Sequence, residues 1–263
     1  MKESIKAVIR QIFTFRWKPS LDIVAVFVSY ILVVGTLYIA TVVVTPEVGG
    51  GIPYFLLYAV LMAALFGIGV PVFWMVVVRR RPISDLGLTT RRWRISIVIQ
   101  VVLSVILFIT GPEFDLPPLA NLVPLLSLVL AIGFFEAVFW RGWVLNRLEE
   151  SFGLLPGILL ASVLYAAYHI GYAMTVDEMV FLFFIGIMFA VVFRLTGSIL
   201  ILWPVFQPMG QLITLSGEGL SLPLISSLGF IDAIVVMFVI IWLAKRFYRK
   251  HMEKSTINVG AEA

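Results

Sequence analysis

Phe134-Phe135-Glu136-Ala137-Val138-Phe139-Trp140-Arg141-Gly142-Trp143 sets a carboxylate and a guanidinium inside an otherwise apolar run. Nearly every other charged residue lies at the end of such a run. A charge within a membrane span costs roughly 2.5–3.5 kcal/mol on insertion scales, which marks it as a group with a task and a partner. The surrounding apolar runs are near-continuous and about twenty residues long, whereas barrel strands would alternate over about ten. Hydrocarbon offers no water to satisfy backbone groups. The expected fold is therefore an all-α membrane protein, a bundle of about eight transmembrane helices.

Composition agrees. Of the 263 residues, 61% are hydrophobic and 13% charged, with mean hydropathy +1.08; soluble domains run at about half and a quarter. The chain has no cysteine, which excludes disulfides and thiolate metal or nucleophile chemistry. His169 and His251 are its only histidines, so a zinc site is not expected. The net charge of +4 comes from bases beside apolar runs. Anionic lipid and the insertion rule explain these better than nucleic acid, which is not an expected partner.

Working outward, the spans read as about 21–44, 54–78, 95–110, 118–150, 155–173, 179–194, 199–215 and 222–244. Residues 1–20 place Ile5, Val8, Ile9, Ile12 and Phe13 at helical spacing between Lys2, Lys6 and Arg10, the pattern of an interfacial amphipathic helix. Eight crossings put all 19 Lys and Arg residues on or beside one set of segments. The other loops carry only Glu47, Glu113, Asp115, Asp177, Glu178 and Glu218. By the positive-inside rule both termini are cytoplasmic, the last being a basic tail over 245–263. With no repeat or linker, 1–263 reads as a single polytopic domain, in the plasma membrane if the cell is prokaryotic.

The break at Phe152-Gly153 serves as a ruler. Glu136 lies about sixteen residues before it and His169 about sixteen after it, so both sit roughly 25 Å from the turn. An antiparallel hairpin then brings carboxylate and imidazole to one depth, where either can act as a general base toward water. Gln207 and Gln211, one turn apart in Trp203-Pro204-Val205-Phe206-Gln207-Pro208-Met209-Gly210-Gln211, fall at a compatible depth beside a kink expected from the prolines. Arg141 reads as structural, snorkelling to the interface. Tyr165 reads as packing.

These residues resemble the CPBP family of intramembrane proteases, which includes CAAX-processing type II endopeptidases and bacteriocin-linked Abi proteins. The family carries Glu-Glu-x-x-x-Arg, then an aromatic-x-x-x-His, then His-x-x-x-Asn or Asp. Glu136 to Arg141, Tyr165 to His169 and Gln207 to Gln211 look like these in order, and the likeness covers roughly Asp85 to Ser216. Three positions depart: Ala137 replaces the second Glu, and Gln207 and Gln211 replace the last pair. The resemblance implies an endopeptidase in which Glu136 activates water, His169 orients it, and Gln207 and Gln211 stabilise the oxyanion. The substrate would be a membrane-anchored peptide or protein, in contact with membrane lipid. No metal cofactor is expected, because Gln cannot readily replace imidazole on zinc. The alternative is a catalytically impaired relative acting as a scaffold, immunity or regulatory protein.

Overall fold

The computed structural model of the chain describes residues 12–44, 51–112, 114 and 116–261, with side chains to residue 251. Seven helices among the described residues are long and apolar enough to cross a membrane: α1 (Leu21–Val44), α2 (Ile52–Val78), α3 (Trp93–Thr110), α4 (Leu119–Phe152), α5 (Leu154–Tyr172), α6 (Val176–Thr196) and α8 (Ser226–His251). A shorter helix, α7 (Phe206–Gly217), precedes the last of these. The chain is a multi-pass integral membrane protein built as an all-α bundle.

The helix ends follow from local chemistry. Ser20 starts α1 by accepting the Asp22 N–H at 3.2 Å. Thr175 and Glu178 form a reciprocal capping box at the start of α6. Gly153 breaks α4 from α5 with φ +97°, and a Cβ there would lie 2.3 Å from the Thr14 carbonyl oxygen. The chain before α1 is that close because Arg16 and Lys18 donate their backbone N–H groups to the Phe152 and Ser151 carbonyls, each at 3.0 Å. Phe15 and Trp17 also pack on the Phe152 ring. The interfacial helix expected over residues 1–20 therefore does not extend through 14–20, where the backbone donors are used by the end of α4. Residues 1–11 lie outside the described residues. The tail continues as helix to Ala261.

α4 is the axis of the bundle. Its membrane-length window is 78% buried, against 17% for α3. Gly142 lets the Ile83–Leu86 turn lie directly on α4: a Cβ there would be 2.0 Å from the Leu86 carbonyl oxygen. Phe134 packs edge-on against Trp203 and Phe238, at 5.2 and 5.0 Å, joining α4 to the last two passes.

The seventh expected span, 199–215, is a broken segment rather than a continuous helix. It begins where Ile199 N–H donates to Gly87 at 3.0 Å, turns through a short 3-10 stretch at Ile199–Ile201, and becomes helical only at Phe206. Pro204 and Pro208 supply no backbone donor, so a regular helix cannot run through the first half. The segment still reaches the far end of α4, where the Asn121 side chain bonds the backbone of Leu220 and Leu222, both at 3.2 Å. α8 returns from Gly229, beside Phe55, and packs along α2 to the Ile83–Leu86 turn.

One end of the bundle is tied by ion pairs. Arg81 binds Glu150 and Asp85, Arg147 binds Glu150, Arg194 binds Glu149, and Arg79 binds Asp22. Glu150 and Asp85 hold the Arg81 guanidinium above its usual range, and Asp22 does the same for Arg79. The part-exposed pairs of Arg81 add little stability each, Asp22 and Arg147 are buried, and together the pairs connect four passes.

Candidate active site

Glu136 is 3% exposed at the middle of α4. Its Oε1 accepts the Tyr168 hydroxyl at 2.5 Å. Its Oε2 accepts the Gln207 amide at 2.7 Å and the Gln211 amide at 3.0 Å. Three donors converge on one carboxyl, whose two oxygens have the capacity to accept all of them. The two glutamines reach it because they are four residues apart on one face of α7. Gly133 admits that face: a Cβ there would stand 3.1 Å from Pro208 and 3.3 Å from the Gln211 oxygen.

The expected partnership of Glu136 with His169 is corrected. His169 is buried at the end of α5, but its Nδ1 faces the Tyr165 carbonyl oxygen at 2.9 Å, and no hydrogen bond links it to Glu136. Its ring lies beside that of Tyr168, centroid to centroid 4.3 Å. The ruler through Phe152-Gly153 fixes depth, but adjacent residues of a helix point about 100° apart, so it could not choose between Tyr168 and His169. The sequence signal that was passed over is the hydroxyl-bearing stripe Tyr165, Tyr168 and Tyr172 at helical spacing. That stripe continues the network: Tyr168 and Tyr172 hydroxyls are 3.5 Å apart, and Tyr172 meets Tyr58 of α2 at 2.8 Å.

Arg141 is also corrected. It does not snorkel to an interface; its side chain is 1% exposed, with the guanidinium 4.8 Å from the Tyr165 ring centre and 5.5 Å from that of Phe189. Residues Ala137–Leu145 wind as π-helix. Pairing at i→i+5 keeps residues five apart closer to one face than an α-helix does, which turns Arg141 toward the Glu136 side. The two attract electrostatically. Tyr165, expected to pack, is the platform for this cation.

Four buried polar atoms in this region have no partner: Gln207 Oε1, Gln211 Oε1, Arg141 Nη1 and Trp140 Nε1. Unpaired groups of this kind are uncommon in folded proteins and concentrate where a water or ligand is bound. Catalytic zinc usually takes about three protein ligands, and Glu136 and His169 offer two at most here. No group of three or more His, Cys, Asp or Glu gathers among the described residues.

Residues 118–205 match the family described as type II CAAX prenyl endopeptidase Rce1-like. The matched stretch contains Glu136, Arg141, Tyr165 and His169 and stops just before Gln207. No curated protein and no solved structure matches the chain. The family match, together with a multi-pass bundle built around a buried glutamate, supports membership of this chain in the CPBP family of CAAX-type intramembrane proteases.

Proposed function

We propose that the chain is an intramembrane endopeptidase in which Glu136 is the base. Water enters the site, gives a proton to Glu136, and its oxygen adds to a peptide carbonyl. The oxyanion is held by amide N–H groups of Gln207 and Gln211, with Arg141 adding positive charge nearby. Collapse breaks the C–N bond and the proton passes from Glu136 to the leaving amine. His169, whose ring packs beside that of Tyr168, orients the attacking water. The substrate is a peptide anchored in the same membrane, the plasma membrane in a prokaryotic cell, and the site needs no metal.

The observation that supports this reading most is the pairing of a buried, three-times-bonded carboxylate with unpaired polar atoms around it. A second reading has its own observation. Three of the about four acceptor positions on Glu136 are already filled by protein donors, and a centre whose remaining position water never reaches is a structural lock in a non-catalytic scaffold. Cleavage of a farnesylated peptide by purified protein separates the two. Loss of activity in both Glu136→Gln and His169→Ala, with folding intact, supports the peptidase; a wild type inert toward a broad panel of anchored peptides supports the lock.

A further inference from the structure

α3 is the most loosely held of the long helices. Its only fully buried residues are Ser96, Gln100 and Ser104, while Val98, Val101, Val105, Phe108 and Ile109 face outward. The buried three form a polar stripe at i, i+4 and i+8 on the helix that packs against the broken 199–217 segment. Gln100 Oε1 accepts the Val205 N–H at 3.1 Å, just before α7 begins. Ser96 Oγ, Gln100 Nε2 and Ser104 Oγ have no partner.

Helix packing alone does not account for this stripe. A buried serine in a helix normally satisfies itself by donating to the carbonyl three or four residues back. Ser29, Ser127 and Ser162 do so in this chain, at 2.9, 2.7 and 2.8 Å. Ser96 and Ser104 leave their hydroxyls free although the same carbonyls are within their reach. The spacing of the stripe is also informative. Residues four apart rise about 6 Å along a helix, and same-side groups of an extended peptide recur at about 6.6–6.8 Å. A peptide laid along α3 therefore offers a main-chain carbonyl or N–H to each residue of the stripe in turn.

We propose that α3 and the broken 199–217 segment form a side gate, and that Ser96, Gln100 and Ser104 bind the main chain of an extended polypeptide substrate. The gate rests on the peptidase reading and supplies its substrate path. On its other face α7 carries Gln207 and Gln211 to Glu136, so a chain admitted between α3 and α7 approaches the carboxylate from one side of a single helix. Few buried contacts hold α3 in place, and the peptide replaces the hydrogen-bonding groups that opening uncovers.

The absence of native cysteine makes the gate testable by a lock. A Cβ on Gly210 would lie 3.5 Å from the end of Leu107, so Leu107→Cys with Gly210→Cys allows α3 and α7 to be joined by oxidation or a short thiol crosslinker. Binding of a fluorescent farnesylated peptide is read by anisotropy, in a Glu136→Gln background so that the probe is not consumed. The joined form is expected to lose binding and the reduced form to regain it. A Ser96→Ala/Ser104→Ala variant is expected to bind about tenfold more weakly with no fall in Tm, since it removes only unpaired hydroxyls. Equal binding by joined and reduced forms, or no binding by either, overturns the gate, as does unchanged affinity in the serine variant, the result expected if buried water fills the stripe. Cleavage that survives joining leaves the peptidase standing without the gate. Binding controlled by the lock with no cleavage in the wild type leaves the gate standing without the peptidase.

Discussion

Tyr168 donates its hydroxyl to Glu136 Oε1 at 2.5 Å, the shortest of the three hydrogen bonds that hold the carboxylate. Its ring also packs beside that of His169, at 4.3 Å, the residue that depth alone matches to Glu136. Tyr168 is in turn steadied through Tyr172 by Tyr58 on α2, so the position of the central carboxylate is set by three helices.

Tyr168→Phe removes that donor from a buried carboxylate. A hydrogen bond to a charged group contributes about 1.5–3 kcal/mol, so Tm in detergent should fall. A double-mutant cycle with Glu136→Gln should show strong non-additivity, because the bond to a charged acceptor exists only when both residues are present. Tyr58→Phe should cost less, since it breaks only the outer link. Additive effects of Tyr168→Phe and Glu136→Gln would show that the contact carries no energy.

Gln207→Leu/Gln211→Leu removes both donors to Oε2 while keeping approximate volume. The uncompensated carboxylate should lower stability by several kcal/mol, as read by thermal unfolding, and abolish any peptide cleavage. Either single change should be milder, because the remaining amide still binds the same oxygen.

Gly142→Ala places a methyl group 2.0 Å from the Leu86 carbonyl oxygen, a backbone atom that cannot swing away. Overpacking usually costs about 1–3 kcal/mol, and this position should lie at or above the upper end. Expression and Tm should fall sharply, whereas Gly210→Ala, with its nearest contact at 3.5 Å, should be tolerated.

Arg141→Met removes a buried cation with an unpaired Nη1 while retaining a long side chain. Replacing a poorly paired buried charge by an apolar group is often neutral or stabilising. Tm should hold or rise while cleavage is lost. Arg141→Lys should not restore activity, because an ammonium cannot lie flat over the Tyr165 ring as a guanidinium does.

The sequence was most informative where the physics is one-dimensional. Hydropathy over about twenty residues is enough to find the seven long helices, and rise per residue puts Glu136, Gln207 and Gln211 at one level. Rotation about the helix axis was not legible, which is why His169 was favoured over Tyr168. The π-helical winding of Ala137–Leu145, which turns Arg141 inward, has no sequence signature as clear as hydropathy. Pro204 and Pro208 announce irregular backbone in the 199–215 segment. They did not reveal that helix is absent until Phe206. The polar stripe of α3 escaped notice because Ser96 and Ser104 are unremarkable residues until the structure leaves their hydroxyls unpaired.

Isotope transfer decides whether Glu136 activates water for peptide hydrolysis. Purified protein in lipid nanodiscs is incubated with a farnesylated peptide in H2(18)O, and the new C-terminal carboxylate is weighed by mass spectrometry. The wild-type product should carry one 18O, and correctly folded Glu136→Gln should give no product. Labelled product formed at the same rate by Glu136→Gln would remove Glu136 from the role of base.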